Sequence, residues 1–145
     1  VSTSLRVSKA ADLVVHDWLN TLDTRGVEGL AYHALPWIIG DALLNGDLDL
    51  IARTTSRRNS VAGIRSLLVG LLDHTPPPLD QLKHPCLVVS GQRDRFALSP
   101  DQQWAATQLP QGRFLEIPDV GHTVPVEAPQ ALAEAVDVFL SESSS

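Results

Sequence analysis

The chain has 145 residues, 43% of them hydrophobic and 19% charged, and a formal net charge of −6. Those values suit a soluble globular domain with a sizeable core, and an acidic chain without a long basic run excludes a nucleic-acid surface. A single cysteine, Cys86, excludes an internal disulfide framework, and no apolar stretch approaches the length of a membrane span. No signal-peptide pattern opens the chain, so the expected compartment is the cytoplasm. Methionine is absent, so Val1 is not a literal initiator; an alternative start codon, a processed end and a cut through a longer protein all remain open. Arginine outnumbers lysine 9 to 2, which associates the chain with a GC-rich bacterial genome.

The first residues, Val1-Ser2-Thr3-Ser4, read as the end of a strand. Ser8 is a candidate N-cap for a first helix in which Val14, Trp18 and Leu22 recur at four-residue spacing, and Gly26 fits its stop. A second short helix is predicted over 27–35, ended by Pro36. A third is predicted over 43–52, with Gly46 as its weak point. Ser60 caps a fourth, where Ile64, Leu67, Leu68, Leu71 and Leu72 form a broad apolar face. Pro76-Pro77-Pro78 then divides the chain, because three prolines cannot continue a helix and favour an extended connector.

After the prolines the pattern alternates. The run 86–90 is apolar on both faces, as a buried parallel strand requires. Its single thiol, Cys86, reads as a small buried residue. Pro100 suits the first turn of a helix carrying Trp104 and Leu109. Pro110-Gln111-Gly112 makes a turn into a second strand, 113–117, and Pro129 opens a last helix with Leu132, Val136, Phe139 and Leu140 on its apolar side. Trp18 and Trp104 read as core residues. The polar end, 141–145, reads as a mobile tail. A strand–helix–strand order with right-handed crossover makes the two strands parallel. Two strands are too few for a covered sheet, which points to missing partners.

Asp94 follows the first strand after the turn Gly91-Gln92-Arg93, and His122 follows the second after Pro118-Asp119-Val120-Gly121. Side chains at the C-terminal ends of neighbouring parallel strands meet above the sheet. A carboxylate that orients an imidazole makes a general base, which needs a group to activate. The plainer alternatives are an Asp94 paired with Arg93 or Arg95 and a His122 exposed on its loop. Glu127 reads as a cap of the final helix or a tie on the His122 loop. His16, His33, His74 and His84 show no metal-ligand spacing, and no glycine-rich phosphate loop is present. No metal and no cofactor are therefore expected.

The segments Pro85-Cys86-Leu87-Val88-Val89-Ser90-Gly91-Gln92-Arg93-Asp94, Leu109-Pro110, Ile117-Pro118-Asp119-Val120-Gly121-His122 and Glu127-Ala128-Pro129 together resemble the C-terminal end of the α/β-hydrolase family. Leu35-Pro36-Trp37-Ile38-Ile39-Gly40 is similar to cap helices of esterase and enol-lactonase-like members. The resemblance implies an α/β fold class: the last parallel strands and helices of an α/β hydrolase, preceded by an all-helical cap. On that reading 1–4 end a core strand, 5–75 form the cap, 76–140 belong to the core and 141–145 are tail. Asp94 is implied as the triad acid and His122 as the triad base. Leu35, Trp37 and Ile38 then line an apolar substrate pocket under the cap, or pack the cap on the core. Arg57 and Arg58 read as a solvated cap face, with contact to an acidic substrate as the alternative.

The chain departs from the family in lacking the Gly-x-Ser-x-Gly nucleophile elbow. Gly63-Ile64-Arg65-Ser66-Leu67 comes nearest, but it lacks the second glycine and lies in a helical pattern. The implied function is the cap and C-terminal half of a serine-type hydrolase of carboxylic esters or lactones. Its serine and oxyanion hole would come from a missing N-terminal half or a partner chain. The implied partners are that half and a small ester or lactone, with no nucleic acid and no membrane. Two alternatives stand beside it. One is another chemistry of the same fold: carbon–carbon bond hydrolysis, perhydrolysis or dehalogenation. The other is a non-catalytic binding or assembly subunit that retains the fold.

Overall fold

The computed structural model describes residues 9–57 and 59–143. The expected strand end at Val1 to Ser4, the Ser8 cap and Arg58 lie outside these residues.

Helix α1 (Lys9–Ile38) is two helical stretches joined at Gly26, whose φ of 68° and ψ of −169° are not helical. Only glycine adopts that conformation readily, which explains why the first amphipathic stretch ends where it does. The second stretch does not stop at Pro36 but runs two residues further. Proline's missing N–H falls in the last turn, where few bonds remain to be lost, and Arg95 Nη1 donates to the Pro36 carbonyl at 2.9 Å. The single helix expected over 43–52 is instead two, α2 (Asp41–Leu44) and α3 (Leu48–Arg57). The chain turns between them at Asn45 and Gly46, with Gly46 N donating to Leu43 O at 2.9 Å. Helix α4 (Val61–Leu72) starts at the expected cap, Ser60 Oγ accepting from Gly63 N at 3.1 Å. Ser66, the serine of the nearest elbow-like stretch, is an exposed residue inside this helix.

The two stretches of α1 and helix α4 enclose one apolar cluster of Val15, Trp18, Leu22, Leu30, Ala34 and Leu68. Phe96, from the second half of the chain, packs against it.

That second half contains a 3-10 turn (Leu79–Gln81), then β1 (Cys86–Gly91), α5 (Ser99–Gln108), β2 (Gly112–Ile117), α6 (Val124–Glu127) and α7 (Pro129–Ser143). The strands pair in parallel, from Cys86 opposite Gly112 to Gly91 opposite Ile117. Val88 and Phe114 face α5 with Ala105, Ala106 and Leu109. Val89, Leu115 and Ile117 face the other way, toward Val120, Val124 and Leu132. Cys86 is half-buried against the first of these clusters.

Three further expectations are corrected. Trp104 is 41% exposed, because the small Ala105 and Ala106 occupy the inner side of α5. Val136 and Leu140 are exposed on α7, which packs on the sheet through Leu132. The helix also continues through 141–143, where Ser141 and Ser143 hydroxyls donate back to the carbonyls of Asp137 and Phe139. Along β2 and α7 runs an open apolar groove of about 490 Å³. Among the described residues no helix is long and apolar enough to cross a membrane.

The same substitution is expected to act oppositely at two glycines with open space around their Cβ positions. Gly26→Ala, at positive φ, should lose about 1–3 kcal/mol of stability, whereas Gly70→Ala, inside α4, should gain up to about 1 kcal/mol. Urea denaturation of the two variants checks the pair of signs.

Candidate active site

Parallel pairing in register brings the C-terminal ends of β1 and β2 side by side, and the two loops that follow are bonded to each other. Gln92 N donates to Ile117 O at 2.9 Å and Arg93 N to Val120 O at 2.7 Å. Gly91 is essential to this approach, because a Cβ there would lie 2.1 Å from the Gly121 carbonyl oxygen. Gly121 is equally confined: its Cβ would meet Gly40 N at 2.4 Å. Asp119 takes a φ of 58°, a conformation that aspartate tolerates better than most side chains.

On this platform His122 Nδ1 lies 2.8 Å from Asp94 Oδ2. The Asp94 side chain is fully buried, and that of His122 is 23% exposed. The other carboxylate oxygen, Oδ1, accepts from the backbone N–H groups of Phe96 (2.9 Å) and Ala97 (2.7 Å). A carboxylate acceptor at Nδ1 fixes the proton there, so the neutral ring presents Nε2 as a base. Neither neighbouring arginine pairs with Asp94. Arg93 bonds Asp119 at 3.1 Å, and Arg95 bonds Asp41 at 2.8 Å.

Glu127 acts on the His122 loop and not on the final helix. Its Oε2 accepts from Gly121 N (3.0 Å) and Gly40 N (2.8 Å), and its Oε1 accepts from Thr123 N (3.2 Å) and Thr123 Oγ1 (2.7 Å). One carboxylate thus holds the residues on both sides of His122 and the turn that leaves α1. Thr123 N also donates to Ile38 O at 3.2 Å.

An aromatic contact was not foreseen in the sequence. Phe96 stacks on Trp18 of α1 at 4.9 Å between centroids, and it meets the His122 ring edge-on at 5.6 Å. A phenylalanine two places after an acid gives no periodic signal, so its role emerges only in three dimensions.

The predicted pocket residues divide between two pockets. Trp37 lines one of about 250 Å³ with Leu13, Val14, Arg95, Phe96 and Leu98. Leu35 and Ile38 line another of about 170 Å³, inside the helical half. His33 pairs with Asp17, and Arg57 is exposed. Among the described residues no group of three or more His, Cys, Asp or Glu side chains could hold a metal ion.

The Arg95 hydrogen bond, reinforced by its charge and that of Arg93, holds the Asp41 carboxyl below its ordinary value. Because the folded-state pKa is the lower one, this tie contributes stability above the unfolded carboxylate pKa of about 4. It is lost as pH falls through the folded value. The stability difference between the protein and Asp41→Asn should therefore shrink on acidification, as read from melting temperatures between neutral pH and pH 3 or so. Glu127→Ala should cost about 3 kcal/mol, since it strands partly buried N–H donors, and Glu127→Gln should cost less. Urea denaturation checks the order.

No family model matches the chain. In sequence it is 27% identical, over 142 residues, to a Bacillus subtilis (strain 168) protein named provisionally as a 2-succinyl-6-hydroxy-2,4-cyclohexadiene-1-carboxylate synthase. That match covers 94% of this chain and 49% of the relative, so the chain spans about half the length of the curated relative it matches. In structure it is similar to the enol-lactonase of Burkholderia xenovorans LB400, with a TM-score of 0.82, 23% identity, and 97% of this chain and 54% of that one covered. It is also similar to a thermophilic esterase from Thermogutta terrifontis, with a TM-score of 0.80, 20% identity, and coverage of 99% and 54%. With its paired parallel strands and the loops that follow them, the chain has the C-terminal part of the α/β-hydrolase fold.

Proposed function

We propose that this chain supplies the acid and base of a serine-type hydrolase of carboxylic esters or lactones. The Asp94–His122 pair carries the reading: a buried carboxylate with both oxygens hydrogen-bonded, holding Nδ1 of a partly exposed imidazole. His122 Nε2 would take the proton of a serine hydroxyl as its oxygen attacks the carbonyl. The same nitrogen would return that proton to the departing alkoxide, and then repeat the cycle with water to release the acid. Asp94 would keep the tautomer and stabilise the imidazolium. Similarity to an esterase and an enol-lactonase supports the choice of ester or lactone. Leu35, Trp37 and Ile38 would border the substrate.

The serine and oxyanion hole would come from a preceding region or a second chain. Two observations support such a complement. Among the described residues Asp94 is the hydrogen-bond partner of the His122 ring, with no nucleophile bonded there. The open groove beside β2, lined by Leu87, Phe114, Leu115 and Val138, leaves apolar surface of the sheet and α7 uncovered.

The test is reaction of the natively purified sample with a serine-directed fluorophosphonate probe, each polypeptide being weighed by denaturing mass spectrometry. Labelling of a serine in a Gly-x-Ser-x-Gly elbow, lost in His122→Ala, is expected. In the complemented enzyme Asp94→Asn should lower ester hydrolysis by about 10⁴-fold. Undiminished hydrolysis in His122→Ala would sink the assignment.

A further inference from the structure

Within the helical half lies a pocket of about 170 Å³ whose wall includes Trp18, Leu30, Ala34, Leu35, Ile38 and Leu68. Trp18 is 6% exposed, and its Nε1 is buried without a hydrogen-bond partner among the described residues. A buried indole N–H left unmade is costly, and it is the feature of this cluster that apolar packing does not explain. Water is a poor remedy. A buried water needs two to four polar partners, whereas every other side chain lining this pocket is aliphatic. An apolar cavity of about 150 Å³ is known to stay dry and to take a benzene-sized guest.

We propose that this pocket binds a neutral apolar group the size of a six-membered ring, bearing one acceptor oxygen to which Trp18 Nε1 donates. Its position ties it to the chemistry. Phe96 covers one face of the indole and touches the His122 ring. Ile38, on the pocket wall, gives its carbonyl to Thr123 N beside His122. With Phe96 between indole and imidazole, the bonded oxygen is not the carbonyl that reacts beside Nε2. It is a second oxygen of the substrate, such as a ring ketone or ether. That assignment to substrate rests on the hydrolase reading above; the binding of the guest does not.

The experiment titrates the full chain, with its indole nitrogens labelled with ¹⁵N, with cyclohexanone and separately with methylcyclohexane, a ring lacking the acceptor. Cyclohexanone should move the Trp18 indole proton downfield in a saturable way, and methylcyclohexane should not. Trp18→Phe identifies the resonance and should weaken cyclohexanone binding by roughly fivefold. If that variant does not fold, assignment through the wild-type spectrum leaves the comparison of the two guests intact. An indole signal unmoved by cyclohexanone, or moved alike by both rings, overturns the proposal. A positive titration with no His122-dependent serine labelling would instead retain the pocket and reject the hydrolase reading.

Discussion

The backbones of two loops touch where the strands end, and the rest of the site is arranged around that contact. Gly91 has no Cβ to keep the Val120 and Gly121 carbonyls away from the end of β1, and Gly121 has none to push away the Ile39–Gly40 turn. Parallel register sets which residues arrive there, and the bond from Arg93 N to Val120 O closes the junction. Asp94 and His122 are the next residues along each loop, so their 2.8 Å separation follows from backbone geometry. A side chain at Gly91 would separate the loops, and one at Gly121 would push the His122 loop off the Ile39–Gly40 turn.

Two charged side chains, Arg95 and Glu127, help to join this platform to the helical half, and they differ in strength. Arg95 with Asp41 is an exposed ion pair, with both side chains more than two-fifths accessible to solvent. Such pairs contribute little and weaken in salt. Glu127 makes four bonds in a partly buried setting, three of them to backbone N–H groups. Charged hydrogen bonds contribute about 1.5–3 kcal/mol each, and the one to Gly40 N crosses to the helical half, so Glu127 is the stronger tie. Phe96 adds a third contact without charge. It places an aromatic edge against His122 and a face against Trp18, so a shift of α1 reaches the imidazole through packing.

Much of this was legible in the chain because local rules govern it. Apolar runs of strand length marked β1 and β2, and the prolines and Ser60 marked helix starts. Gly-x-x-Asp and Gly-His carried the family resemblance, which the solved structures bear out at the level of fold. Local rules also failed in identifiable places. Pro36 did not end α1, because its missing N–H falls in the last turn, where few bonds remain to be lost. Trp104 faced outward, because alanines were the better fit under α5.

The sequence by itself determined the order of the two strands and of the longer helices around them, the glycines in the turns that follow the strands, and the acid and base beyond them. These depend on neighbours a few residues apart, where hydrophobic period and backbone freedom act. Only the tertiary structure decided that Glu127 clamps Gly40, that Leu35 and Trp37 serve different pockets, and that Phe96 stands between Trp18 and His122. Those contacts join residues tens of positions apart. They arise from how the two helical stretches of α1 and the strand-end loops pack, and no spacing along the chain encodes that packing.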